Sequence, residues 1–167
     1  MAEQRFWLMK SEPTCYSIDD LARDRRTFWD GVRNYQARNF MRDDMKVGDA
    51  ILFYHSNADP TGVAGLAKVI KTAYPDHTAW DRQNDHFDPK STPLEPIWMM
   101  VDVAFVEKFP QTVTLQSMKE NKSLEGMMVL QRGSRLSVQP VEAKHFQEVV
   151  RHGKGAKSPP ARTRKAK

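Results

Sequence analysis

The sequence predicts an α+β domain built on a mixed, barrel-like β-sheet with short helices packed around it. Three observations carry this reading. Short apolar strands are interrupted by short helical patterns, with no regular βαβ alternation along the chain. Residues 97–107 alternate cleanly, with Met99, Val101, Val103 and Phe105 pointing one way and Trp98, Met100 and Asp102 the other. Residues 50–55 form a nearly unbroken apolar run, the mark of a buried strand.

Taken in order, Phe6–Met9 reads as a short strand stopped by Pro13. Ser17-Ile18-Asp19-Asp20 has the form of a capping box. The Ser17 hydroxyl and the Asp20 carboxylate would satisfy open N–H groups at the start of a helix burying Ile18, Leu21 and Ala22. Trp29 precedes Asp30-Gly31 in an expected turn, and Asn34 suits the N-cap of a second helix with an apolar face of Ala37, Phe40, Met41 and Met45. Lys46–Asp49 turns the chain into the 50–55 strand, and Gly62–Thr72 is a further strand. Residues 74–96 are polar and hold four prolines, which predicts a long loop; such loops are usually functional or mobile. Helices are expected near Leu115–Lys119 and Leu124–Leu130, the latter capped by Ser123. Arg135–Gln139 alternates around Leu136 and Val138. Val141–His152 sets Ala143, Phe146, Val149 and Val150 on one helical face, with Gly153 as a natural stop.

The 167 residues are enough for one domain with one core, assigned to 1–152. Residues 153–167, GKGAKSPPARTRKAK, have little to bury and predict a disordered basic tail. Seven of the 26 basic residues and none of the 21 acidic ones lie in 151–167. Residues 1–150 therefore carry 19 against 21, a net of −2. The basic balance belongs to the tail, and the globular part is not a cationic surface overall. No stretch has the apolar length of a membrane helix, and the opening MAEQRFWLMKSEP lacks the pattern of a secretory leader. One cysteine, Cys15, excludes an internal disulfide and agrees with a reducing cytoplasm. A monomer is the expected state.

Enzyme signatures are missing: there is no G-x-S-x-G elbow, no phosphate loop and no G-x-G-x-x-G. His77 and His86, near Asp81 and Asp85, could in principle hold a cation, but histidines in polar loops are more often simply solvated. No metal or cofactor is expected. Cys15 with His55 lacks an orienting third group, and a lone cysteine usually packs as a small apolar residue.

The concentrated signal lies in three segments that mix aromatics with neutral hydrogen-bonding groups: 7–13 (WLMKSEP), 29–39 (WDGVRNYQARN) and 53–57 (FYHSN). Segments that are neither core-like nor loop-like point to a pocket, where flat walls bind and amides or hydroxyls fix orientation. Gly31 would permit close backbone approach. Arg33 and Arg38 flank Asn34 as phosphate partners. Plainer readings stand beside these. Trp7 sits among apolar neighbours and suits core packing, Asn34 suits a simple cap, and Arg33 and Arg38 suit a solvated face with Asp43 and Asp44. Glu12 could hold Lys10 or a backbone amide, and Trp98 faces away from the Met99/Val101/Val103 stripe.

WLMKSEP, then GVRNYQARNFM, then M-x-x-GD-x-x-LFYHS, together with FDPKSTPLEPIWMMVDV and the closing RLSVQPV before a helix, resemble the EVE domain family, which occurs in bacterial proteins among others. The likeness runs from about Phe6 to His152; only the basic tail lies outside it. The resemblance implies a PUA-like fold related to YTH and ASCH domains. It also implies a non-catalytic reader of a modified base, modified cytosine above all, in DNA or RNA. Carried onto this chain, the pocket would use Trp7, Lys10, Ser11, Trp29, Asn34, Tyr35, His55, Ser56 and Trp98. The reading of the residues themselves adds Arg38 to the pocket, Arg33 and Arg38 as phosphate contacts, and Lys154 and Lys157 of the tail as further ones. An enzyme acting on a nucleotide or small molecule, with His55 or Lys10 as acid or base, is the alternative, and a protein-interaction module is a third.

Overall fold

The structure, a computed structural model, describes residues 4–155. Six strands form one mixed sheet: β1 (Phe6–Ser11), β2 (Arg26–Trp29), β3 (Ala50–His55), β4 (Gly62–Pro75), β5 (Met99–Thr114) and β6 (Val138–Val141). Their spatial order is β2-β5-β4-β3-β1-β6. Strands β1 and β3 run parallel, with Phe6 opposite Ala50 and Ser11 opposite His55; the other neighbouring pairs are antiparallel. Register shifts between β4 and β5 at Val63/Gly65, Leu66/Ala67, Val69/Lys71 and Lys71/Tyr74 bend these two long strands. The mixed α+β sheet is as expected, but it does not close into a barrel: β2 and β6 are its two ends.

The apolar run of β3 follows from cover on both faces. Trp7, Met9, Ile51 and Phe53 join one core with α1 (Ile18–Asp24), α2 (Tyr35–Asn39) and the π-helical turn Phe40–Asp44 that continues it. Leu8, Leu52 and Tyr54 join the other with Phe109, α3 (Leu115–Lys119) and α4 (Ala143–Gly153). Alternate side chains of one strand thus enter opposite cores, each fully buried large apolar side chain contributing roughly 1.5–3 kcal/mol. No helix among the described residues is long and apolar enough to cross a membrane.

Local chemistry sets the helix starts. Ser17 caps α1 in a complete capping box with Asp20, and Asn34 caps α2 by accepting the Ala37 N–H at 3.0 Å. Several expectations are corrected. Trp29 ends an edge strand rather than sitting in a turn, because Arg26–Trp29 pairs with Val101–Ala104 of β5. The segment 124–130 is two 3-10 turns, Lys122–Leu124 and Met128–Leu130, the first capped by Asn121 and not Ser123. The last strand starts at Val138, leaving Arg135 in the preceding loop. Gly153 does not stop α4 from outside; it lies buried in the final turn, where an added Cβ would fall 2.3 Å from the Phe109 ring. Within 74–96, the turn His77–Trp80 is ordered by Asp76 at its N-cap. The expected disorder of the tail falls on residues that, beyond Gly155, lie outside the described ones.

Candidate functional site

Parallel strands end together, so the carboxyl ends of β1 and β3 leave the sheet side by side. The Ser56 N–H donates to the Ser11 carbonyl at 3.0 Å, extending that ladder by one step. A cavity of about 650 Å³ opens there. Lys10, Ser11, Glu12, Cys15 and Tyr16 form one side of it. Thr27 to Val32, the end of β2 and the loop after it, form another, and Ser56, His86, Arg135 and Ser137 complete it. Its volume falls within the roughly 300–1,000 Å³ usual for small-ligand sites.

The walls are firmly held. Trp29 is 8% exposed and its ring meets Phe53 edge-on at 5.4 Å, so the indole is fixed by the core it borders. Ser11 Oγ donates to the Tyr16 carbonyl at 2.6 Å, and the Tyr16 hydroxyl to Asp24 at 2.9 Å. Partial burial and then the Asp24 carboxylate push the Tyr16 phenol up to about 12. The Lys10 amide donates to the Ser137 carbonyl at 2.9 Å, which ties the Arg135 loop to β1. The Lys10 ammonium lies 5.7 Å from the centre of the Tyr54 ring, and burial lowers its pKa below that of an ordinary lysine.

Asp76 organises the loop after β2. Its side chain is inaccessible and accepts from the Gly31 N–H at 2.8 Å, Arg33 Nη1 at 2.9 Å, and the Thr78 N–H and hydroxyl at 2.9 and 2.6 Å. Burial opposes its ionisation, but the donors prevail and hold its carboxyl below the usual aspartate value.

Of the residues singled out in the sequence, Lys10, Ser11, Trp29 and Ser56 meet at this cavity. The others are elsewhere. Trp7 is 1% exposed in the core, where its Nε1 donates to buried Asp49 at 2.9 Å; its apolar strand neighbours dictated that. Asn34 spends its side-chain oxygen on the α2 cap. Tyr35, exposed, packs on buried Trp98 at 4.8 Å between ring centres, and Trp98 is anchored by Nε1 to Asp88 at 2.7 Å. Arg38 lies 4.9 Å from the Tyr35 ring and donates to Asn39 and the Ile97 carbonyl. Arg33 is bound to Asp76 and the His86 carbonyl rather than presented to solvent. His55 accepts the Ile18 N–H on Nε2 at 3.1 Å, at the start of α1. Lys154 pairs with Glu107 at 3.6 Å, and Lys157 lies outside the described residues. Glu12 does line the cavity, where its carboxylate accepts from Asn57 at 3.2 Å.

Sequence reasoning missed Arg135, Ser137 and the position of His86. Arg135 and Ser137 belong to the quoted RLSVQPV segment, which reads as an alternating strand and not as part of a pocket. Only the left-handed Gly31, close in space to His86, hinted that another side chain must approach there. No group of three or more potential metal ligands is assembled among the described residues, and His77 packs on Phe28 at 5.4 Å instead. The cavity is lined by the Trp29 indole and by hydroxyl side chains of Ser11, Thr27, Ser56 and Ser137, with the two cations Lys10 and Arg135 and the carboxylates Glu12 and Asp30. That composition suits a flat polar ligand with an anionic attachment.

Comparison with known proteins agrees in extent with the quoted motifs. Human thymocyte nuclear protein 1 is 44% identical over 162 residues, spanning 86% of this chain and 72% of that protein. A hypothetical protein from Leishmania major superposes with a TM-score of 0.87 at 48% identity, covering 90% of this chain and 95% of that one. The human THYN1 protein, solved in complex with 5-methylcytosine containing DNA, superposes with a TM-score of 0.84 at 42% identity, covering 93% and 100%. The EVE domain model matches residues 5–152, from the first strand to the last helix, and on that span the chain belongs to the EVE domain family.

Proposed function

We propose that this chain is a non-catalytic reader of a modified base in nucleic acid, with modified cytosine in DNA as the favoured ligand and RNA as the second candidate. The observation that carries the reading is the cavity beside Trp29, an indole wall fixed by the core and ringed by hydroxyls, two cations and two carboxylates. The relative solved with 5-methylcytosine containing DNA supports the ligand class, at 42% identity over nearly the whole domain.

A base inside a duplex cannot reach such a cavity, so the target nucleotide swings out of the stack. Stacking on Trp29 returns about 1–3 kcal/mol, offsetting much of the cost of extrusion. Ser11 and Ser56, which line the cavity, would then address the base edge through their hydroxyl oxygens. Lys10 and Arg135 take over the phosphate role first expected of Arg33 and Arg38, whose guanidinium groups are committed within the fold.

The enzymatic alternative loses one of its two bases. His55 does not line the cavity, and the nitrogen that would take a proton already accepts the Ile18 N–H. Lys10 remains as a candidate acid or base, and turnover of a nucleoside or phosphodiester panel would favour that reading.

Titration with duplexes identical except for cytosine or 5-methylcytosine tests the proposal. The modified duplex should bind more tightly, and Trp29→Ala should weaken its binding roughly tenfold, the order expected when one stacking partner is removed. Trp29→Phe keeps the core filled and should retain part of the preference, which separates loss of stacking from loss of folding. Equal binding of the two duplexes by the wild-type chain would refute the reading.

A further inference from the structure

We infer that His86 is the second wall of the cavity and contacts the extruded base directly, an inference that rests on the base-reading function proposed above. Its imidazole lines the same cavity as Trp29, although the two residues are far apart in sequence: one comes from the edge strand, the other from the long polar segment between β4 and β5. His86 is an exposed residue, and among the described residues nothing hydrogen-bonds to either of its ring nitrogens.

What surrounds that ring is unusually well fixed. Arg33 donates to the His86 carbonyl through Nε at 3.0 Å and Nη2 at 2.7 Å, while its Nη1 is held by Asp76 Oδ2 at 2.9 Å. The same Asp76 oxygen accepts the Gly31 N–H at 2.8 Å. One buried carboxylate oxygen therefore positions both the backbone on which the imidazole lies and the arginine that holds the histidine's own backbone. Asn84 adds a third restraint by accepting the His86 N–H at 2.8 Å.

Gly31 makes room for the contact. It has φ +82, and a Cβ there would fall 2.6 Å from His86 Cε1 and 2.8 Å from Nε2. Only glycine permits the imidazole to lie so close, and only glycine adopts that backbone conformation freely. A histidine that is merely solvated needs none of these devices. A side chain that must meet a ligand at a set position does, because a contact group is useful only when its supports hold it still. A planar base entering beside Trp29 then finds the imidazole as a further flat or edge-on contact, of the kind that histidine supplies to unstacked bases.

The experiment titrates the full chain with the cytosine and 5-methylcytosine duplexes, comparing wild type, Trp29→Ala, His86→Ala and Gly31→Ala. His86 is exposed, so His86→Ala should leave the melting temperature unchanged while weakening binding of the modified duplex roughly tenfold. Gly31→Ala, which drives the ring from its place without removing it, should reproduce that loss. Wild type that does not discriminate would overturn the base-reading function itself. Wild type that discriminates, with Trp29→Ala impaired but His86→Ala binding as wild type, would overturn the role of His86 alone.

Discussion

Asp49 is buried and accepts from Trp7 Nε1, the Lys46 N–H and the Arg5 N–H at 2.9, 2.9 and 3.1 Å. In sequence it belongs to a Lys-Val-Gly-Asp turn with nothing to mark it as a structural centre. Removing it strands three donors in or beside the core, each a group that loses its partner without regaining water. Asp49→Ala should therefore lower stability by on the order of 3 kcal/mol, read from chemical denaturation, with the cavity residues left in place. Its partner Trp7 was legible only in part: its apolar neighbours suit the core, where it lies, whereas the resemblance put it in the pocket. Trp29 was legible as a pocket residue but not as the end of an edge strand, and the place of His86 was not legible at all. The pairing with β5 and the grip of Arg33 are distant in sequence, and local context does not encode such partners. Arg33 and Arg38 look alike on paper as free cations, but a buried carboxylate and the Ile97 carbonyl, just ahead of β5, claim them.

At the scale of elements, the join between β3 and α1 has a pH dependence of its own. His55 Nε2 accepts the Ile18 N–H, and burial depresses the imidazole pKa below its usual 6.5. Asp19 pulls the other way without prevailing, and Lys108 adds to the depression. A folded-state value below the unfolded one means that the unfolded chain binds the proton more readily. The stabilisation is thus present above about pH 6.5 and is lost as pH falls through that value toward the depressed one. Stability measured between about pH 7.5 and 5 should decline, and His55→Gln, which cannot titrate, should flatten that decline. Elements were the most legible level of this chain. The capping box at Ser17, the Asn34 cap and the alternation before Glu107 each rest on chemistry contained within a few residues. The failures have equally local causes. Gly126 in a left-handed conformation divides the helix expected over 124–130, and four residues of β2 are too few to display a period.

For the molecule as a whole, charge and shape are separated along the chain. The described domain carries the cavity, whereas residues 156–167 hold five basic residues and no acidic one. Phosphate attraction without base recognition adds affinity but no sequence or modification preference. Deleting 156–167, which leaves α4 and its buried Gly153 intact, should lower affinity for cytosine and 5-methylcytosine duplexes alike. It should also flatten the dependence of binding on salt, by about 0.9 in logarithmic slope for each phosphate no longer neutralised. Loss of discrimination on deletion would contradict that division.

Because the sheet is open, its margins are its weakest pairings. Trp29 closes a four-residue strand that is paired on one side only, so one wall of the cavity stands at an open margin of the sheet. The indole also leans on Phe53 of β3, three strands inward. A planar guest resting on it would therefore press the outermost strand toward the interior, and the margin would be braced by occupancy instead of opened by it.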